Sequence, residues 1–122
     1  EERAADVGGV MHSYSGPAEL VPIYRDLGFA FSFAGAVTRA NARRPIAAAR
    51  AIPDELLLAE TDAPDQAPGP RGASGRNEPA MVAEVVAALA RVRDQPVADV
   101  AALTTANAQR LFRAWRATPP PP

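Results

Sequence analysis

The 122-residue chain carries 13 basic side chains, all arginine, against 14 acidic ones, for a formal charge of −1, which excludes a basic nucleic-acid-binding module. An apolar fraction of 48% with 22% charged residues is that of a globular protein, so one domain with one core is expected over 1–118, ahead of a polyproline tail at 119–122. With no cysteine and a single histidine, thiol catalysis, disulfides and cysteine zinc sites are excluded, and any metal must be held by His, Asp and Glu.

Gly9-Val10-Met11-His12-Ser13-Tyr14 is a short apolar run closed by Ser15-Gly16-Pro17, which predicts a buried strand turning into a helix. Leu20, Ile23, Tyr24 and Leu27 follow at one-face helical spacing before Gly28 ends the element, with Pro22 making the first turn irregular. Phe29 to Phe33 is the second strand, its three Phe falling on one face by alternation; with no arginine interleaved they belong to the core rather than to a base-stacking platform. Thr38 is expected to cap a helix running to Ala51, delayed or kinked by Pro45.

Leu56-Leu57-Leu58-Ala59 is the third strand, an unbroken apolar run of the kind found in covered parallel sheets, and it leads into Glu60-Thr61-Asp62-Ala63-Pro64. The segment from Ala63 to Gly75 is rich in Pro and Gly and is expected to be a mobile loop on the active side. Asn77 or Glu78 should cap a helix entered through Pro79, burying Val82, Val85, Val86, Leu89 and Val92, with Arg91 and Arg93 at its negative end. Two more helices are expected, about Val97 to Leu103 and about Thr105 to Trp115, the second burying Ala108, Leu111, Phe112 and Trp115.

Three strands alternating with helices predict an α/β fold with parallel strands. A closed (β/α)8 barrel needs about 250 residues, so the chain is expected to form less than half of one. No apolar run reaches the ~18 residues of a membrane span, and the start Glu1-Glu2 lacks the order of a secretory signal, so no membrane partner and a cytoplasmic location are expected.

Ligand sites in such folds gather at the carboxyl ends of strands. His12 and Asp62 lie there, on the pleats of Val10 and Leu58, and alternation points both inward. Imidazole and carboxylate are ligand types for Zn²⁺, Mg²⁺ or Mn²⁺. Each also has a plainer explanation, a structural histidine and a turn-forming Asp. Glu60, so close behind four apolar residues, needs a partner, and Arg76 is one candidate. Asn77-Glu78-Pro79 is first a capping sequence and second a substrate contact.

Gly9-Val10-Met11-His12-Ser13-Tyr14-Ser15-Gly16 resembles the G-V-x-H-x-F-S-G element of the TatD family of metal-dependent deoxyribonucleases. Leu57-Leu58-Ala59-Glu60-Thr61-Asp62-Ala63-Pro64 is similar to its L-L-x-E-T-D-x-P signature, Arg76-Asn77-Glu78-Pro79 to R-N-E-P, and Thr104-Thr105-Ala106-Asn107-Ala108-Gln109-Arg110-Leu111-Phe112 to T-T-x-N-A-x-x-L-F. The resemblance implies a partial TIM barrel, about the last three β/α units with the carboxyl-terminal helices, in an enzyme hydrolysing DNA at divalent ions (Mg, Mn or Zn). It implies that His12 is a metal ligand, Asp62 a metal ligand or the catalytic carboxylate orienting water, Glu60 a support for Asp62, and Arg76, Asn77 and Glu78 substrate contacts. Tyr14 stands where the family usually has Phe, and Pro45 departs from its pattern. The family's H-x-H-x-D motif, a Glu and a further His have no counterpart. The expectation is therefore an incomplete site that needs the missing amino-terminal strands or self-association, with a non-catalytic remnant or partner-dependent module as the alternative and amide or ester hydrolysis as a third reading.

Overall fold

The computed structural model describes residues 8–69 and 75–112. Three strands, β1 (Gly9–Met11), β2 (Phe29–Phe33) and β3 (Leu57–Ala59), form a parallel sheet in the order β1-β2-β3. Helix α1 (Val21–Asp26) connects β1 to β2, and α2 (Arg43–Ala51) connects β2 to β3. Two helices follow β3, α3 (Val82–Arg93) and α4 (Val97–Leu111). None of the described helices is long and apolar enough to cross a membrane.

The first strand is shorter than its apolar run, because a turn at His12-Ser13 interrupts it before Tyr14 N–H rejoins the sheet at Ser32 O, 2.8 Å. Leu56 ends a 3-10 turn rather than starting β3. Pro22 sits in the first turn of α1, where its missing N–H costs nothing, behind a 3-10 turn at Ala18–Leu20. That turn shifts the helix phase in part: Val21 is buried and Ile23 is exposed, while of the predicted face Tyr24 packs on the core and Leu20 and Leu27 are half-buried. The helix before β3 starts late, at Arg43, as Pro45 leads one to expect. Thr38 does not cap it; its hydroxyl donates to Gly35 O and accepts from Gly69 N–H.

Register fixes the two faces of the sheet, since paired residues of adjacent strands point the same way. Phe31 pairs with Met11 and Leu57, and the rings of Phe29, Phe31 and Phe33 meet Tyr14 and Tyr24 edge-on. All three Phe therefore lie on the helix side. The opposite face carries Val10 paired with Ala30 and Ser32 paired with Leu58. That face carries no aromatic side chain, and its Ala30, Ser32 and Leu58 are buried.

Val85, Val86 and Leu89 of α3 are buried as their spacing predicts, while Val82 and Val92 are half-buried. The expected pair of carboxyl-terminal helices is one helix. Thr104 returns its hydroxyl to Val100 O, 2.9 Å, so a polar pair that reads as a break is absorbed within the helix. The buried stripe of α4 is Val100, Thr104 and Asn107, whereas Leu111 and Phe112 are exposed. Trp115, Arg71 and the tail at 119–122 lie outside the described residues.

Two polar side chains tie these layers together. Asn107 Nδ2 donates to Asp54 O (2.7 Å) and Leu57 O (2.8 Å), clamping α4 to the entry of β3. Arg93 donates to Ala49 O, Ile52 O and Asp54 Oδ1, satisfying carbonyls left open at the end of α2. Arg93 therefore serves a neighbouring helix rather than its own negative end.

Candidate metal centre

β1 and β3 are not neighbours; β2 lies between them and ends in Ala34-Gly35. Strands separated by a third stand ~9–10 Å apart, so a side chain leaving β1 meets one leaving β3 only by leaning over the end of β2. The turn after β1 does this. Ser13 adopts a left-handed φ of 48°, uncommon outside Gly and Asn, and is held by its N–H to Ser32 Oγ (3.3 Å) and its Oγ to Asp62 Oδ2 (3.3 Å). On the other side Glu60 N–H extends the ladder to Phe33 O, 3.0 Å.

The result is a cluster of one imidazole and two carboxylates. His12 Nδ1 lies 2.8 Å from Glu60 Oε2, and His12 Nε2 lies 3.2 Å from Asp62 Oδ1. One ligand atom from each of the three falls within 4.8 Å of the others. The side chains of Glu60 and Asp62 are 20% and 15% exposed and that of His12 is 69% exposed, so the cluster opens to solvent on the histidine side. Glu60 reaches His12, not Asp62 or Arg76; Arg76 is exposed and pairs with Glu78 at 3.6 Å.

The donor set suits a divalent cation. Two carboxylates and a neutral imidazole are what Mn²⁺, Mg²⁺ or Zn²⁺ accept. Glu60 Oε1 is buried with no hydrogen-bond partner, an expense that a cation beside the carboxylate would offset. A histidine held through one nitrogen by a carboxylate also has its other nitrogen fixed in tautomer and direction.

The segment after Asp62 is pinned rather than mobile as far as Gly69. Asn77 is buried; its Nδ2 donates to Asp65 O (2.7 Å) and Thr61 Oγ1 (3.4 Å), and its N–H donates to Pro64 O (3.1 Å). It therefore binds the loop, and neither it nor Glu78 makes a side-chain cap at Pro79–Met81 or α3. Ala67 and Pro68 are buried, and a Cβ on Gly35 would stand 2.1 Å from Gln66 O. Only glycine lets the loop close there.

Three supporting residues escape a reading by motif. Ser13 and Ser32 hold the turn that carries His12, and Gly35 receives the loop that carries Asp62. Ser32 had a signal, a hydroxyl between two core Phe, which must find a partner. Tyr14 is structural: its hydroxyl donates to Pro17 O at 2.8 Å, and burial, with Tyr24 and Glu19 nearby, pushes its pKa up, keeping it neutral.

A sequence model described as TatD related DNase matches residues 1–113. The chain is 42% identical over 114 residues to the uncharacterized metal-dependent hydrolase YabD of Bacillus subtilis, covering 93% of this chain and 44% of that protein. It is also 42% identical over 112 residues to the uncharacterized metal-dependent hydrolase YcfH of Escherichia coli, covering 92% and 42%. The fold superposes on the crystal structure of the TatD homolog YJJV of Escherichia coli with a TM-score of 0.78 at 30% identity, over 86% of this chain and 40% of that one. The chain thus spans about two fifths of the length of these relatives.

Proposed function

Because the chain belongs to the TatD-related DNase family, we propose that it supplies the last three β/α units of a TIM-type barrel whose activity is metal-dependent hydrolysis of DNA phosphodiesters. The observation that carries this reading is the single cluster in which His12 touches both Glu60 and Asp62. His12 and Asp62 would hold the ion, and Glu60, through Nδ1, would fix the imidazole. When bound, a divalent ion supplies Lewis-acid polarisation and lowers the pKa of water to near neutrality. Asp62 is the carboxylate placed to take up a proton or orient the attacking water, with Ser13 Oγ holding its second oxygen. Asn77 and Gly35 keep the Asp62 loop in place, and the exposed Arg76 and Glu78 would contact substrate.

Two ligands, His12 and Asp62, leave most of an ion's coordination to other groups, and the relatives are more than twice as long. A second, partner-dependent reading is favoured by a specific feature. Beside the outer edge of β3, Ala59, Val82, Val86, Val97, Ala101 and Phe112 line an open apolar groove of about 810 Å³. Among the described residues β3 has no second strand partner, and a parallel edge with apolar cover is a surface for more chain.

The test is single-turnover cleavage of a DNA oligonucleotide with Mn²⁺ or Mg²⁺, by the chain alone and after adding, as a separate polypeptide, the part of the Bacillus subtilis relative that this chain does not match. Little cleavage alone and Asp62-dependent cleavage with the fragment are expected. Cleavage in neither condition refutes the hydrolase reading. Robust cleavage by the chain alone, abolished in Asp62→Ala, refutes the need for a partner.

A further inference from the structure

The charge of this chain is segregated in a way the cluster does not use. From Leu27 to Pro53 there are four arginines and not one acidic residue, in a chain whose formal charge is −1. Three of them, Arg39, Arg43 and Arg44, fall on the crossover that leaves the carboxyl end of β2 and enters α2, between the strand ends that carry His12 and Asp62. Arg25 pairs with Asp26, Arg76 with Glu78 and Arg93 with Asp54. Arg39, Arg43 and Arg44 make no ion pair or side-chain hydrogen bond among the described residues.

Nor do they serve the fold. Arg43 and Arg44 are exposed in the first turn of a helix that has no side-chain cap and no acidic residue there, so they repel the positive end of the helix dipole instead of complementing it. Arg39 is half-buried, and its Nε is buried without an acceptor, a cost that a structural arginine avoids by pairing. Side chains that break local rules without a compensating interaction mark a function outside the fold. Arg43 and Arg44 line a shallow groove of about 230 Å³ with Pro17, Ala18 and Glu19. Those last three belong to the same β1-to-α1 connection that His12 begins, and Glu19 bonds to neither arginine. The arginine row and the His12 cluster thus share one end of the sheet.

We propose that Arg39, Arg43 and Arg44 form a phosphate-gripping rim that holds the nucleic-acid backbone flanking the bond presented to His12, Glu60 and Asp62. The inference rests on the phosphodiester reading above, but it concerns different residues and a different step. The guanidinium fork matches phosphate oxygens two at a time, and a row of three suits a ligand with regularly repeated negative charge. Such contacts position the strand and carry no sequence preference, so binding should fall steeply with salt.

The experiment is fluorescence anisotropy of a labelled single-stranded 12-mer on the full chain, in chelator so that only the arginines are read, across a salt series. Wild-type protein should bind with a negative salt slope. R43A/R44A should weaken binding roughly tenfold and flatten the slope by about 1.4, near 0.7 for each single-strand phosphate that is no longer neutralised. Arg39→Gln should weaken it less, R43K/R44K should keep most of it, and the exposed Arg91→Ala on α3 should leave it unchanged. Absence of wild-type binding, an unchanged R43A/R44A, or an equal weakening in Arg91→Ala overturns the rim. Because no divalent ion is present, these outcomes are independent of whether His12 and Asp62 hold a metal.

Discussion

At the carboxyl end of β3, Glu60 and Asp62 enclose His12 within hydrogen-bond distance, while along the outer edge of the same strand Val82, Val97 and Phe112 line an open apolar groove. The polar end is built by short-range means: a turn after β1, the ladder from β2, and a loop that Asn77 and Gly35 hold shut. The groove is the reverse, two well-formed helices whose facing side is 53% exposed at Val97 and 55% exposed at Phe112. A constellation of side chains can therefore be set by three strands and their loops, but apolar cover on a parallel edge needs more chain than these elements provide.

Asn107 belongs to both regions, since it fixes the groove wall α4 to the entry of β3, and its removal should have the largest effect. Asn107→Ala strips a partner from two carbonyls, Asp54 O and Leu57 O, and should lower stability by about 3 kcal/mol in urea unfolding. A change below about 1 kcal/mol would mean that water replaces the amide and that the two regions are not joined there. Gly35→Ala attacks only the polar end. A Cβ 2.1 Å from Gln66 O must displace the loop, at about 2 kcal/mol, and protease accessibility at residues 61–69 should rise while the groove helices keep their amide protection. Uniform loosening of α3 and α4 would contradict the separation.

Tyr14→Phe removes one hydrogen bond, to Pro17 O, and leaves the ring packing with Phe31 and Phe33, for a destabilisation of about 1 kcal/mol. Because the folded-state pKa of Tyr14 is raised, its neutral form favours folding, and that contribution fades as pH rises through the folded pKa. The wild type should therefore lose its advantage over Tyr14→Phe in alkaline melts, and a gap that widens there would put the sign wrong. Phe112→Ser in the groove should cost under about 0.5 kcal/mol, as for other exposed positions, yet reduce self-association in sedimentation. A fall in melting temperature as large as that of Asn107→Ala would show that the groove is packed in solution.

The same division describes what could be read from the residues themselves. The parallel run of the strands, the late start of α2 and the approach of His12 and Asp62 at the strand ends were legible, because apolar runs, proline placement and strand-end position act locally. The partner of Glu60 was not, because reaching His12 depends on how far the Ser13 turn leans over β2. The side of the sheet taken by the Phe stripe was equally hidden, since alternation groups residues on a face without saying which layer that face meets. Asn77 reads as a cap by sequence and as a loop clamp by structure, and only the path of residues 61–66 distinguishes them.

The central claim, that His12, Glu60 and Asp62 form a cation site, is tested most directly by Mn²⁺ binding to the full chain, followed by electron paramagnetic resonance. The account predicts saturable binding that is abolished in His12→Ala and Asp62→Ala and weakened about 10- to 100-fold in Glu60→Gln, as for groups that hold a ligand in place. Mn²⁺ binding equal to wild type in both His12→Ala and Asp62→Ala would contradict it.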